Sequence, residues 1–307
     1  MGTTDKKVIA VVGATGQQGG AVVRALRAHN EFKVRALTRN PAKHGELADE
    51  VVEADLNRPE TLASAFNGAY GVFLVTNFQE HGTSELKQAT AAVRAAKDAG
   101  VKHFVWSTLP DAEAISKSRL HVPHFTGKAK VDRIVREAGF ANHTFVIAPF
   151  YYQNLIGVLG PQKQPNGSAG WTLPLDPAVR GIHMGDITEL GDVVAGAFAH
   201  PDQAGHGEYL PLVGDFMSFN EIIDTLKQQG HSFSFNQVPK EVFAGFFPGA
   251  AEIAEMFAYF QAHTYLGTDS RDQIGLANKV VGRQPIKFAA WARANFPASE
   301  TAKSAPR

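Results

Sequence analysis

Along the first half of the chain, short runs of consecutive apolar residues alternate with longer segments in which apolar positions recur every three to four residues. The short runs are rich in β-branched residues and predict strands over 7–12, 33–38, 51–53, 71–75, 103–107 and 144–148. The longer segments predict helices over 16–28, 59–66, 84–99 and 121–138, with Gly100 and Gly139 as helix stops. Strands alternating with helices build a parallel sheet covered on both faces. Such strands are apolar almost throughout, as these are. The expected class is α/β, a doubly wound parallel sheet.

After Asn154 this rhythm breaks down. The stretch 161–177, rich in Pro, Gly and Gln, reads as a long excursion. Helices are expected over 190–199, 218–229, 250–263 and 286–295, and a strand over 208–213. This predicts a first domain over 1–153, to which about 186–213 returns, and a smaller mixed domain over 154–307. The small and polar tail from 298 is expected to be disordered.

Composition narrows the function classes. Thirty basic residues offset thirty acidic ones in 307, so the strongly basic footprint of a nucleic-acid binder is missing. The chain has no cysteine, which excludes disulfides, thiolate metal sites and cysteine nucleophiles. No apolar run is long enough to span a bilayer, and the stretch 8–12 is too short for a signal-peptide core. Lys6 occupies the place where a myristoylation signal needs Ser or Thr. These features point to a cytoplasmic protein with nuclear entry left open.

The sharpest local signal is Gly13-Ala14-Thr15-Gly16-Gln17-Gln18-Gly19, directly after a predicted strand and opening a helix. The first glycine permits a sharp turn, the second a close approach of backbone to a pyrophosphate, the third close packing of helix on sheet. Phosphate oxygens then meet free N–H groups and the positive end of the helix dipole. The fold is thereby expected to be Rossmann-like, with Gly13, Thr15, Gly16, Gln17, Gln18 and Gly19 at the dinucleotide. Where an NAD site usually carries an acid after the second strand, this chain has Arg39-Asn40, with Lys43 close by. Arginine grips a 2′-phosphate that an acid would repel, so NADP(H) is the expected cofactor. The alternative is a pair of solvated loop cations. Asp55-Leu56, after the third strand, either meets the adenine or caps a helix. Thr76, Asn77 and Phe78 follow the fourth strand at the carboxyl edge of the sheet.

Together with Gly20, Thr38-Arg39-Asn40-Pro41, Val75-Thr76-Asn77, His124-Phe125-Thr126-Gly127-Lys128, 149–155 and Phe246-Phe247-Pro248-Gly249-Ala250, these residues resemble the NmrA-like family of atypical short-chain dehydrogenases, most closely its redox-sensor branch. The resemblance implies that Lys87 points toward the cofactor, that Lys128 hydrogen-bonds the nicotinamide ribose, and that Phe150, Tyr151, Tyr152 and Gln153 line the nicotinamide end. An exposed helix lysine is the competing reading for Lys87.

Short-chain dehydrogenases usually use Tyr-x-x-x-Lys and a serine for proton transfer. Here Lys128 and Ser107 are present, but the tyrosine position holds His124. An imidazole there either donates a proton or serves structure, and the structural role is the stronger expectation. Tyr151 and Tyr152 are alternative donors, more simply read as wall residues. His121 and His124 form a His-x-x-His pair with no further ligand in view, so no metal is assigned.

Two functional classes follow. An intact cofactor site without the usual tyrosine suits a redox-sensing regulatory module. It would act through a protein partner or a homodimer, without direct contact to nucleic acid or membrane. Its expected moving parts are the loops 78–84, with Gly82, and 111–122. The alternative is an NADPH-dependent reductase of a small carbonyl, quinone or enal, similar to isoflavone reductases. Phe150, Tyr151, Trp171, Phe246 and Phe247 would line its pocket.

Overall fold

The structure, a computed structural model, describes residues 6–78, 84–164, 167–267 and 270–296. The first half runs β1 (Lys7–Val11), α1 (Gln17–Ala28), β2 (Phe32–Thr38), β3 (Glu50–Glu53), α2 (Glu60–Phe66), β4 (Gly71–Leu74), α3 (Glu85–Asp98), β5 (His103–Thr108), α4 (Ala112–Ile115), α5 (Pro123–Glu137) and β6 (Asn142–Ile147). The second half continues with β7 (Phe150–Tyr151), β8 (Gln162–Lys163), β9 (Ala169–Leu173), β10 (Ile182–Gly185), α6 (Leu190–Ala199), α7 (Pro201–Ala204), β11 (His206–Pro211), β12 (Asp215–Met217), α8 (Phe219–Gln228), β13 (Phe233–Gln237), α9 (Lys240–Phe243), α10 (Ala250–His263), α11 (Arg271–Val281) and α12 (Phe288–Asn295).

Among these residues, seven strands form one parallel sheet in the order β11-β6-β5-β4-β1-β2-β3. Side chains alternate across it because the strand period is two. Ile9 and Val11 pack on Val22 and Leu26 of α1, Val193 of α6 and Val280 of α11. Ala10, between them, faces the opposite layer, with Phe66 of α2, Val93 of α3 and Val131 of α5. The order reverses at β1, which lies between β4 and β2. Crossovers leave β1 and β4 in opposite directions there, so a crevice opens beyond their carboxyl ends.

A further core is built on large aromatics of the second half, such as Phe219, Phe257, Phe260, Phe288 and Trp291, and takes in Phe125 of α5 and Ile147 of β6. Trp171 belongs to it. Its indole is buried, donates to the Leu159 carbonyl at 2.6 Å and sits edge-on to Phe219 and Phe233. The expected pocket wall is therefore a core residue. The stretch 161–177 is likewise more than an excursion, since it holds β8 and β9. β9 pairs in parallel with β13, placing Ala169 opposite Phe233. Short strands of this kind are stabilised by a distant partner rather than by a local pattern, which is why the sequence pattern passed over them. The loop 111–122 also contains a helical turn, α4. Residues 79–83 of the loop 78–84, Gly82 included, and the tail from 298 lie outside the described residues.

Candidate functional site

The turn after β1 is built around two glycines. Gly13 has φ +73°, and a Cβ there would stand 2.7 Å from Val75 Cγ1. The Gly16 N–H donates to the Gly13 carbonyl at 2.9 Å, closing the turn. A Cβ on Gly19, in the first turn of α1, would overlap the Gly13 carbonyl oxygen. Turn and helix thus touch backbone to backbone. Gly16, at the N-cap of α1, offers no side-chain acceptor, and the first turn has no acidic residue. An uncapped helix start beside a glycine turn leaves N–H groups available to an anion.

The crevice beyond this turn has a volume of about 180 Å³. It brings together Gly13, Thr15, Arg39, Asp55, Leu56, Thr76 and Asn77, over a floor that includes Leu37, Ala54 and Leu62. Arg39 is exposed at its rim, while Asn40 and Lys43 are exposed on the adjoining turn and Gln17 on the first turn of α1. Asp55 lines the crevice and accepts the Asn57 N–H at 2.9 Å. It does not cap α2, whose N-cap is Pro59. Gln88 of α3, which sequence reasoning missed, also lines the crevice. Its amide donates to Asn57 Oδ1 at 2.9 Å, and its Oε1 is buried with no partner among the described residues.

At the other end of the site, Lys128 is buried on α5. Its ammonium donates to Glu85 Oε1 at 2.6 Å, to the Thr76 carbonyl at 3.0 Å and to Thr76 Oγ1 at 3.2 Å. Burial pushes the Lys128 ammonium below the usual lysine range, and Glu85 opposes the shift. Thr76 Oγ1 donates to the same Glu85 oxygen at 2.6 Å. Ser107, at the end of β5, donates to Gln18 Oε1 at 2.6 Å, and Gln18 Nε2 donates to the Tyr151 hydroxyl at 2.8 Å. Burial raises the pKa of this hydroxyl, against a smaller lowering by Gln18. Ser107, Gln18 and Tyr151 therefore form one chain from the sheet edge to β7.

Its neighbours in sequence face elsewhere. The Tyr152 hydroxyl donates to Asp215 Oδ2 at 2.9 Å in the second core, where Phe150 is also buried. Gln153 donates to Asp186 Oδ1 at 2.6 Å. Lys87 is exposed on α3, outside the crevice lining, and Phe246 and Phe247 are exposed.

His124 is buried, with Nδ1 2.6 Å from Glu252 Oε1 on α10 and its ring stacked on Phe78 at 4.8 Å between centroids. The carboxyl of Glu252 is held below the usual carboxylate range, chiefly by this hydrogen bond. His121 lies outside α5 and meets Glu113 at 3.1 Å, so the two histidines have different partners. Among the described residues, no group of three or more His, Asp or Glu side chains converges as a metal site. None of their helices is long and apolar enough to cross a membrane. Glu85 and Glu252 carried no usable sequence signal. The first reads as an ordinary acid in a first helical turn, and the second reaches His124 from 128 positions away.

A family model, described as the NmrA-like family, matches residues 5–287. An NmrA-like family domain-containing protein of Dictyostelium discoideum is 33% identical over 235 residues, covering 73% of this chain and 77% of that one. The NmrA-like family domain-containing oxidoreductase notA′ of Aspergillus versicolor is 28% identical over 256 residues, covering 74% and 70%. The crystal structure of NmrA, a negative transcriptional regulator, in complex with NADP superposes with a TM-score of 0.80 at 24% identity, covering 98% of this chain and 99% of that one. Its complex with NAD superposes at 0.81 and 23% identity, covering 99% of both.

Proposed function

The chain belongs to the NmrA-like family, and on that premise we propose that it binds NADP(H) in the crevice and acts as a redox-state sensor, a regulatory module working through a protein partner or its own dimerisation. The observation that carries the binding is the pairing of an uncapped helix start, packed on a glycine turn, with Arg39 at the rim of the same crevice. The helix start offers N–H groups to the diphosphate, and Arg39 offers a guanidinium to the 2′-phosphate. NADP bound to the structurally similar NmrA supports this reading, as does that protein's description as a transcriptional regulator.

In the sensor role, Lys128 already spends its three donors on Glu85 and Thr76. A ribose hydroxyl at Lys128 would have to displace one of them. Glu85 begins α3, so cofactor occupancy would act on the start of that helix. A ligand shifts conformation only through such differential contacts.

Calorimetry with NADP+, NADPH, NAD+ and NADH on one preparation tests the binding. NADPH should bind more tightly than NADH, and Arg39→Ala should weaken NADPH roughly 10- to 100-fold, as expected for one charge-assisted contact. Comparable affinities for the two would reject the phosphate grip. Unchanged protease sensitivity and oligomeric state on NADPH addition would reject the sensor role.

The second reading is an NADPH-dependent reductase of a small carbonyl, quinone or enal. The His124–Glu252 contact favours it, since it orients an imidazole that lies one helical turn from Lys128 on α5. The similarity to the oxidoreductase notA′ supports it as well.

A further inference from the structure

We propose that His124 and Glu252 form a carboxylate-oriented imidazole pair that delivers a proton to the oxygen of a small carbonyl substrate, with Glu252 as the positioning residue. The inference rests on the cofactor reading above and on its reductase branch.

Pro123 opens α5, and His124 and Lys128 follow on one face of it, four positions apart. The N-cap residue Val122 has no side-chain acceptor. Glu252, from α10, takes that place. Its Oε1 accepts the His124 backbone N–H at 3.1 Å and lies 2.6 Å from His124 Nδ1. One oxygen therefore fixes both the main chain and the ring.

An ionised carboxylate only accepts, so Nδ1 is the donor and the tautomer is assigned by the contact. The second proton of the imidazolium then sits on Nε2, the nitrogen not engaged by Glu252. Phe78 stacks on the ring with an interplanar angle of 20°, and Phe125 meets it edge-on at 5.0 Å. The ring is thus held in orientation by Phe78, which lies two residues beyond the Thr76 that holds Lys128. A cap for α5 needs only the backbone contact; the bond to the ring is additional. Beside Glu252, a hollow of about 340 Å³ is lined by His121, Pro123, Ala244 and Glu252 itself.

Bound NADPH supplies a hydride. As the carbonyl carbon accepts that electron pair, the π pair moves to oxygen, which takes the proton from Nε2. One N–H bond breaks and one O–H bond forms. The imidazole is left neutral, with Nδ1–H still on Glu252, and water restores the Nε2 proton. A carboxylate that holds the imidazole in one tautomer and stabilises its charged form follows the logic of hydrolase triads.

Two readouts test the pair. Long-range ¹H–¹⁵N spectra of the full chain without cofactor should show neutral His124 protonated at Nδ1. Glu252→Ala should convert it to the Nε2–H form, and Glu252→Gln, whose amide oxygen still accepts, should restore Nδ1–H. An Nε2–H tautomer in the unmodified chain would overturn the positioning role.

NADPH consumption is then followed with 9,10-phenanthrenequinone, cinnamaldehyde and acetophenone. His124→Phe should lower kcat about 100-fold or more, the usual size of a lost general acid. Glu252→Ala should lower it about 10-fold with the calorimetric NADPH affinity unchanged, and Glu252→Gln should recover part of the loss. Consumption at the protein-free rate with all three carbonyls, or full turnover by His124→Phe, overturns the donor role. Failure of NADPH to bind in the same calorimetry overturns the cofactor reading instead, and the tautomer result separates the two.

Discussion

Lys128 carries its charge in a place where charges are costly. Its side chain and that of Glu85 are 6% and 13% exposed, and the ion pair between them is supplemented by both oxygens of Thr76. Removing one partner of such a pair leaves the other charge buried, which costs more than the pair contributes. Glu85→Ala should therefore destabilise the protein by about 3 kcal/mol in urea denaturation at pH 7. Adding Lys128→Met should recover a large part of that loss, because the orphaned charge goes with it. Additive losses in the double variant would show that the two residues act independently. The pair was only half visible in the sequence. Lys128 stands out through its motif, but Glu85 becomes its partner only when the start of α3 is folded against α5.

At the scale of elements, α1 is the one on which the crevice depends. Gly19 sits in its first turn with no room for a Cβ, because the obstacle is the Gly13 carbonyl, a backbone atom that cannot swing aside. Gly19→Ala should cost about 1–3 kcal/mol by overpacking. It should also lift the helix start off the turn and weaken NADPH binding at least 10-fold, on the reading that the helix start holds the diphosphate. Thermal denaturation and calorimetry check both parts; unaltered binding would count against the cradle.

The ten strands and helices expected over the first half all lie within two residues of their sequence-based bounds, since the regular alternation of strands and helices marks even the short ones. Elements that owe their existence to a partner were missed. β10 has only four residues, and β9 and β13 include Gly, Ser, Thr and Asn. α11 covers the large sheet through Ala277 and Val280; its apolar positions Ile274, Leu276, Val280 and Val281 form an amphipathic pattern that the sequence reading passed over.

At the scale of the molecule, buried titratable groups pull stability in opposite directions with pH. Burial lowers His103 to about 3 and His183 to about 4, from 6.5 when free. The unfolded chain binds those protons first, so their contribution is present above about 6.5 and is lost as pH falls toward 4. Burial raises Asp132 to about 7, from 3.8. Here the folded state holds the proton, so stability is lost as pH rises from about 4 to 7. Two histidines oppose one carboxyl over the shared window, so among these three groups the histidines set the slope. Their net effect is a melting temperature that rises from pH 4 to 6. Asp132→Asn removes the opposing group. It should steepen that rise and stabilise the protein at pH 8, by up to about 4 kcal/mol. A lower melting temperature for this variant at pH 8 would show that the Tyr209 bond to Asp132 outweighs the burial cost.

The sequence by itself determined the wound parallel sheet, the glycine turn and the cation beyond the second strand. Each rests on local periodicity or on the steric demand of a single residue type, and both are written along the chain. Only the tertiary structure decided what the buried polar groups meet. Gln18 bridges Ser107 and Tyr151, Tyr152 turns into the second core, and His124 finds Glu252. Those pairings join residues far apart in sequence. They form because a buried polar group must find a partner wherever the packed elements bring one, and no spacing along the chain encodes that place.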